Sequence, residues 1–154
     1  MFSIIDYCNA LYFGVTASTL KKLQHVQNSA ARLIIGRDGQ TALDDFFLGA
    51  HWLKVRERTL YKILLMVHKC LQLKAPQSLS GLLKLGDSGR TMKFQELRVA
   101  TKLGTRAFSH VGPKLWNCLP FEIRKEHDTD VFKKVLKSYL LMNAETLQAN
   151  FTVR

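Results

Sequence analysis

The chain is poor in the residues that punctuate or staple a fold. Of its 154 residues, 3 are Cys, 3 are Pro and 9 are Gly. So little Pro and Gly excludes a collagenous or low-complexity chain. Cys8, Cys70 and Cys118 are far apart and odd in number, which excludes a disulfide scaffold and points to a reducing compartment. The longest apolar run, Ile63-Leu64-Leu65-Met66-Val67, falls far short of the roughly 20 residues of a membrane helix. No positive charge opens the N-terminus, and Asp6 and Asn9 interrupt its apolar stretch, so it does not read as an export signal. An intracellular protein, cytoplasmic or nuclear and without a membrane partner, is expected. Acidic residues are scarce as well: 12 Asp and Glu stand against 23 Lys and Arg, a net charge of +11. What remains is 47% hydrophobic and 23% charged, a globular composition that rules out wholesale disorder.

The positive charge is not spread evenly. Counting Lys and Arg against Asp and Glu, residues 1–53 carry no net charge, residues 54–83 carry +5, residues 84–114 carry +5 and residues 115–154 carry +1. A field of this kind attracts polyanions such as nucleic acid, acidic lipid or acidic protein. The plainer reading is a surface kept soluble by lysine.

Hydrophobic spacing predicts a mainly α fold, a small helical assembly with at most one short β-hairpin near 97–109. A helix beginning near Thr105 is the alternative to the hairpin. Four segments are expected: 1–36, 37–83, 84–104 and 105–154. In the first, a short buried helix over 3–13 precedes an amphipathic helix over 18–35, started by Thr16 or Ser18 and stopped by Gly36. In the second, Thr41 caps a short helix over 42–48 with Asp44 and Asp45 near its positive end. A long helix follows over 55–73, then a short one over 77–83 after Pro76. Residues 84–96 read as a basic loop or linker. Pro113 permits a helical turn through Trp116, and Asp128 caps a last helix over 129–142. The expected core is Leu23, Val26, Ala30, Ile34, Leu60, Ile63, Leu64, Val67, Leu71, Phe132, Leu136 and Leu140, with Met66, Cys70, Val135 and Tyr139 on the same inward arcs.

Catalytic patterns are scarce. There is no phosphate-binding glycine loop, no His-Glu-x-x-His and no Cys-x-x-Cys. The five histidines are isolated from one another in sequence, and His25 and His68 fall on or beside polar helix faces. Asp44-Asp45 is the only adjacent carboxylate pair, and a helix-dipole role suits it better than a two-metal role. The three cysteines read as core thiols. No enzyme activity, cofactor or metal is expected. On a helical wheel Lys54, Arg58, Lys62 and Lys69 fall within about 80° of each other. These four, with Arg90, Lys93, Arg98 and Lys102 in the loop region, are the candidate phosphate contacts. Trp52 and Trp116 are either core anchors or stacking platforms for bases.

Several ordered blocks carry a resemblance. They are Ile5-Asp6-Tyr7-Cys8-Asn9-Ala10-Leu11-Tyr12-Phe13-Gly14, Leu23-Gln24 with Val26-Gln27-Asn28 and Ala30-Ala31-Arg32, and His51-Trp52-Leu53. Ala75-Pro76 with Leu79, Arg106-Ala107-Phe108-Ser109 through Leu119-Pro120, and Phe132-Lys133 with Leu136-Lys137 complete the set. Together they resemble the region downstream of the polymerase active site in LINE-type, non-LTR, jockey-like retrotransposon reverse transcriptases, over roughly residues 2–141. Lys54 stands where that family usually has Pro, and Ser78 where it has Tyr. Within these 154 residues the Tyr-x-Asp-Asp turn of the polymerase palm does not occur, nor does a zinc knuckle or the family's endonuclease. The resemblance implies a truncated, non-catalytic piece of an RNA-directed DNA polymerase, with thumb-end and C-terminal helices. Its implied partners are RNA or an RNA/DNA hybrid, bound weakly and without sequence preference, and the rest of a retroelement polymerase. The alternative is a helical packing or interaction module, or a relic without activity.

Overall fold

The computed structural model describes residues 6–36, 40–86, 92–101 and 103–143. Seven α-helices occur among them: α1 (Ala17–Ile35), α2 (Gln40–Gly49), α3 (Val55–Leu71), α4 (Gln77–Ser80), α5 (Phe108–Asn117), α6 (Phe121–Arg124) and α7 (Thr129–Met142). Short 3-10 turns lie at Asn9–Tyr12 and Gly104–Arg106. The fold is mainly α, as the spacing predicts. In place of a hairpin near 97–109, the described residues hold one isolated antiparallel bridge, Leu85 to Phe94. The chain divides into two compact units, one of residues 1–59 with 137–154 and one of residues 60–136. The divisions fall inside α3 and α7.

In the first unit, α1 begins where expected. The Thr16 hydroxyl accepts from the Thr19 amide (3.4 Å), and Gly36 ends the helix in the left-handed region at φ 64°, which glycine adopts without a Cβ penalty. The register of its inner face is a correction. Gln27 and Ala31 are the buried positions, while Val26 and Ile34 are exposed and Leu23 and Ala30 are half-buried. The reason is hydrogen bonding. Gln27 Nε2 donates to the Leu53 carbonyl (3.0 Å), and Gln24 Oε1 accepts from the Val55 amide at the start of α3 (3.0 Å). Two glutamines three positions apart thus hold the 53–55 backbone, and their helix face turns inward with them. Ala31, Leu43 and Phe47 form the buried cluster, with Ile35, Phe46 and Trp52 packed around it. Trp52 meets Phe46 edge-on, centroids 5.1 Å apart.

Two more expectations need correcting here. Helix α2 starts at Gln40, which puts Thr41 inside the helix and moves Asp44 and Asp45 out of its first turn. Residues 9–12 form a 3-10 turn in which Leu11 is exposed, as is Tyr7 before it, so the described part of 3–13 is not a buried α-helix.

The second unit is built around aromatic rings. Trp116 and Phe132 are fully buried, their centroids 5.8 Å apart, and Phe94 meets Trp116 at 6.2 Å. Leu60, Ile63, Leu64, Val67, Cys70, Val111, Leu115, Leu119, Ile123 and Leu136 complete the core. Burying each large apolar side chain contributes about 1.5–3 kcal/mol. Gly112 lets α5 close on α3: a Cβ there would lie 3.1 Å from Val67 Cγ2. Helix α5 runs through Pro113 and is longer than the single turn expected. Helix α4 stops at Ser80, and α3 stops at Leu71, with Leu73 in the left-handed region at φ 54°. Asp128 caps α7 as expected, accepting from the amides of Asp130 (2.7 Å) and Val131 (2.9 Å). Those two bonds hold its carboxyl below the usual pKa.

His68 is the largest surprise of this unit. The wheel places it by the polar face, yet it is 0% exposed. Its ring stacks on Phe132 (4.1 Å, 15°), and its Nε2 meets the Glu126 carbonyl at 3.0 Å. Met66, Val135 and Cys118 are exposed, and Leu71 is half-buried, where the sequence pattern expects core. Cys8, in the first unit, is also exposed; of the three free thiols Cys70 alone is buried.

Candidate nucleic-acid interface

The basic row on α3 divides between the two units. In the first, both of its cations face carboxylates. Lys54 Nζ lies 2.9 Å from Asp44 Oδ1. Arg58 makes a two-pronged pair with Asp6: Nε donates to Oδ1 at 2.8 Å, and Nη2 to Oδ2. Planar guanidinium and carboxylate match in this geometry, and the pair is mostly shielded from solvent. Arg58 therefore fastens the start of α3 to residue 6.

In the second unit the row is open. Lys62 and Lys69 are exposed on α3 and make no ion pair among the described residues. They lie seven residues apart, a rise of about 10 Å along the axis. Met66 sits between them, partly exposed. This spacing spans about three nucleotides of a strand rising 3.4 Å each.

Lys93 and Arg98 lie on the 92–101 segment, both exposed. That segment is not a free linker. Asn117 on α5 holds it with both ends of its amide: Oδ1 accepts from the Phe94 amide and Nδ2 donates to the Phe94 carbonyl, each at 2.9 Å. Trp116 Nε1 donates to the Met92 carbonyl (2.9 Å), and His110 Nδ1 meets the Leu97 carbonyl (2.8 Å). The Gly86 amide bonds the Lys93 carbonyl, and the Gln95 amide bonds the Lys84 carbonyl. Lys84 and Lys93 thus flank the Leu85–Phe94 bridge, and both are exposed. Lys84 is exposed and belongs with the candidate cations. The sequence offers no periodic signal for it, because its placement depends on one bridge and on Asn117. Arg90 and Lys102 lie outside the described residues.

Trp116 is wholly inside the second unit, which removes it as a stacking platform. Trp52 is half-buried against Phe46 and Phe47. Among the described residues no three His, Cys, Asp or Glu side chains converge to hold a metal ion, and no helix is long and apolar enough to cross a membrane. No family model matches the chain, and no curated protein or solved structure is significantly similar to it.

Proposed function

We propose that this chain is a non-catalytic nucleic-acid-binding segment of a LINE-type reverse transcriptase, and that residues 60–136 grip RNA through its phosphates. The observation that carries the reading is charge. That unit holds fourteen Lys and Arg against six Asp and Glu, a net of +8, whereas the other holds nine against six, a net of +3. Lys62, Lys69, Lys84, Lys93 and Arg98 are exposed in it and form no ion pair among the described residues. The sequence blocks that resemble the post-palm region of these polymerases support the choice of RNA.

Phosphate contact carries no base information, so binding is weak and blind to sequence. Titration of a labelled single-stranded RNA across a salt series tests it. Engagement of four phosphates gives a slope of log K against log salt near −3, from about 0.7 per contact. A flat salt dependence refutes the reading. With primer, template, nucleotides and Mg²⁺, extension should stay at background.

A second reading, a helical interaction module, is favoured by the apolar outer face of α1.

A further inference from the structure

We infer that the outer face of α1 is a docking surface for an acidic amphipathic helix of a partner protein. The inference is independent of RNA binding, since α1 lies in the other unit from the cations proposed to hold phosphate.

Helix α1 turns its amide-bearing edge inward and leaves its richer apolar stripe outside. Val26, Ile34 and Leu33 are 48%, 62% and 86% exposed, and Leu23 and Ala30 lie half-buried at the margin. Scattered exposed apolar residues need no explanation. These are not scattered. Leu23, Val26, Ala30 and Leu33 recur at steps of three, four and three, the seam spacing by which one helix receives another.

Charge selects the occupant. Helix α1 carries Lys21, Lys22, His25 and Arg32 and no Asp or Glu. Lys22, Val26, Ser29 and Leu33 form one row along the helix, so a lysine borders the stripe directly. A second copy of this chain would oppose lysine to lysine in a protein of net charge +11. A helix with leucines at its seam and carboxylates on its flanks meets both features at once.

The test uses the full chain and a labelled synthetic helix of about three heptads, with Leu at the seam and Glu on the flanks. Its counterpart carries Lys on the flanks. Fluorescence anisotropy should show the Glu-flanked helix binding about tenfold or more tighter than the Lys-flanked one. The double substitution Leu33→Ser with Ile34→Ser should weaken it about tenfold or more at unchanged circular dichroism, since both side chains are exposed. Val26→Thr, nearly isosteric, repeats the test should the double variant unfold, and Lys22→Glu should narrow the flank preference, since it puts a carboxylate beside the stripe. Equal binding of the two helices, no binding, or binding indifferent to the stripe overturns the proposal. Stripe-dependent self-association in the ultracentrifuge, or stripe-dependent capture by phosphatidylserine vesicles, also overturns it, in favour of a second copy or a lipid surface.

Discussion

Gln27 donates a hydrogen bond to the Leu53 carbonyl at 3.0 Å, joining α1 to the segment that starts α3. The side chain is 1% exposed, so neither partner can turn to bulk water instead. Gln27→Leu keeps the volume close and removes the donor, leaving a buried carbonyl unmet. A loss of about 1–3 kcal/mol is expected, read as a lower urea midpoint at unchanged slope. Gln24→Leu should act in the same direction, because it removes the acceptor of the Val55 amide. A neutral result for both would mean that apolar burial, not these amides, orients α1.

Asn117 makes two bonds to Phe94 and a third to the Glu96 carboxylate (3.0 Å). Asn117→Ala should release the 92–97 segment before it unfolds the unit. Limited proteolysis should then cut near Lys93, where the parent resists. Trp116→Ala should instead destabilise the whole unit by about 3–5 kcal/mol, since it empties the centre of the core. Cleavage near Lys93 at the same rate in parent and Asn117→Ala would show that the clamp is idle.

Burial pushes the pKa of His68 below its ordinary 6.5, and the nearby Lys74 and His127 push it the same way; the Glu126 carbonyl offsets part of this. The unfolded chain therefore binds the proton first. Stability is full above about pH 6.5 and is lost as the pH falls from there towards the lower folded value. The urea midpoint should drop between about pH 7 and pH 5. His68→Gln retains an amide donor for the Glu126 carbonyl and cannot titrate, so this part of the pH slope should flatten. An unchanged slope would assign the acid sensitivity to other groups.

Helix placement was legible because it depends on neighbours in sequence. Thr16, Gly36 and Asp128 act within four residues of themselves, and Phe132, Leu136 and Leu140 repeat at a helical interval. The inner face of α1 was not legible. Its apolar stripe is the stronger pattern, but Gln24 and Gln27 find backbone partners some thirty residues on, and no local rule encodes them. His68 is the same case, its ring matched to a carbonyl 58 residues away. For the candidate site, the cationic row on α3 was visible as a row. What the letters hide is that Asp6 and Asp44 engage Arg58 and Lys54, while the backbone of residues 84–86 meets that of residues 93–95 at one bridge.

That division gives the RNA reading its sharpest check. Lys62→Ala with Lys69→Ala removes two exposed ammonium groups and no described ion pair. The slope of log K against log salt should fall by about one to two units, with all RNA sequences weakened alike and the circular dichroism unchanged. Arg58→Ala should do the reverse. It leaves Asp6, mostly shielded from solvent, without its guanidinium, so about 1–3 kcal/mol of stability should go while the salt slope stays near the parent value. Lys54→Ala should be close to neutral on both counts, since its pair with Asp44 is exposed and contributes little. If Arg58→Ala lowers the slope as much as the lysine pair does, the Asp6 contact opens to admit phosphate and the row acts as a whole. If the lysine pair leaves the slope unchanged, RNA is not held by α3.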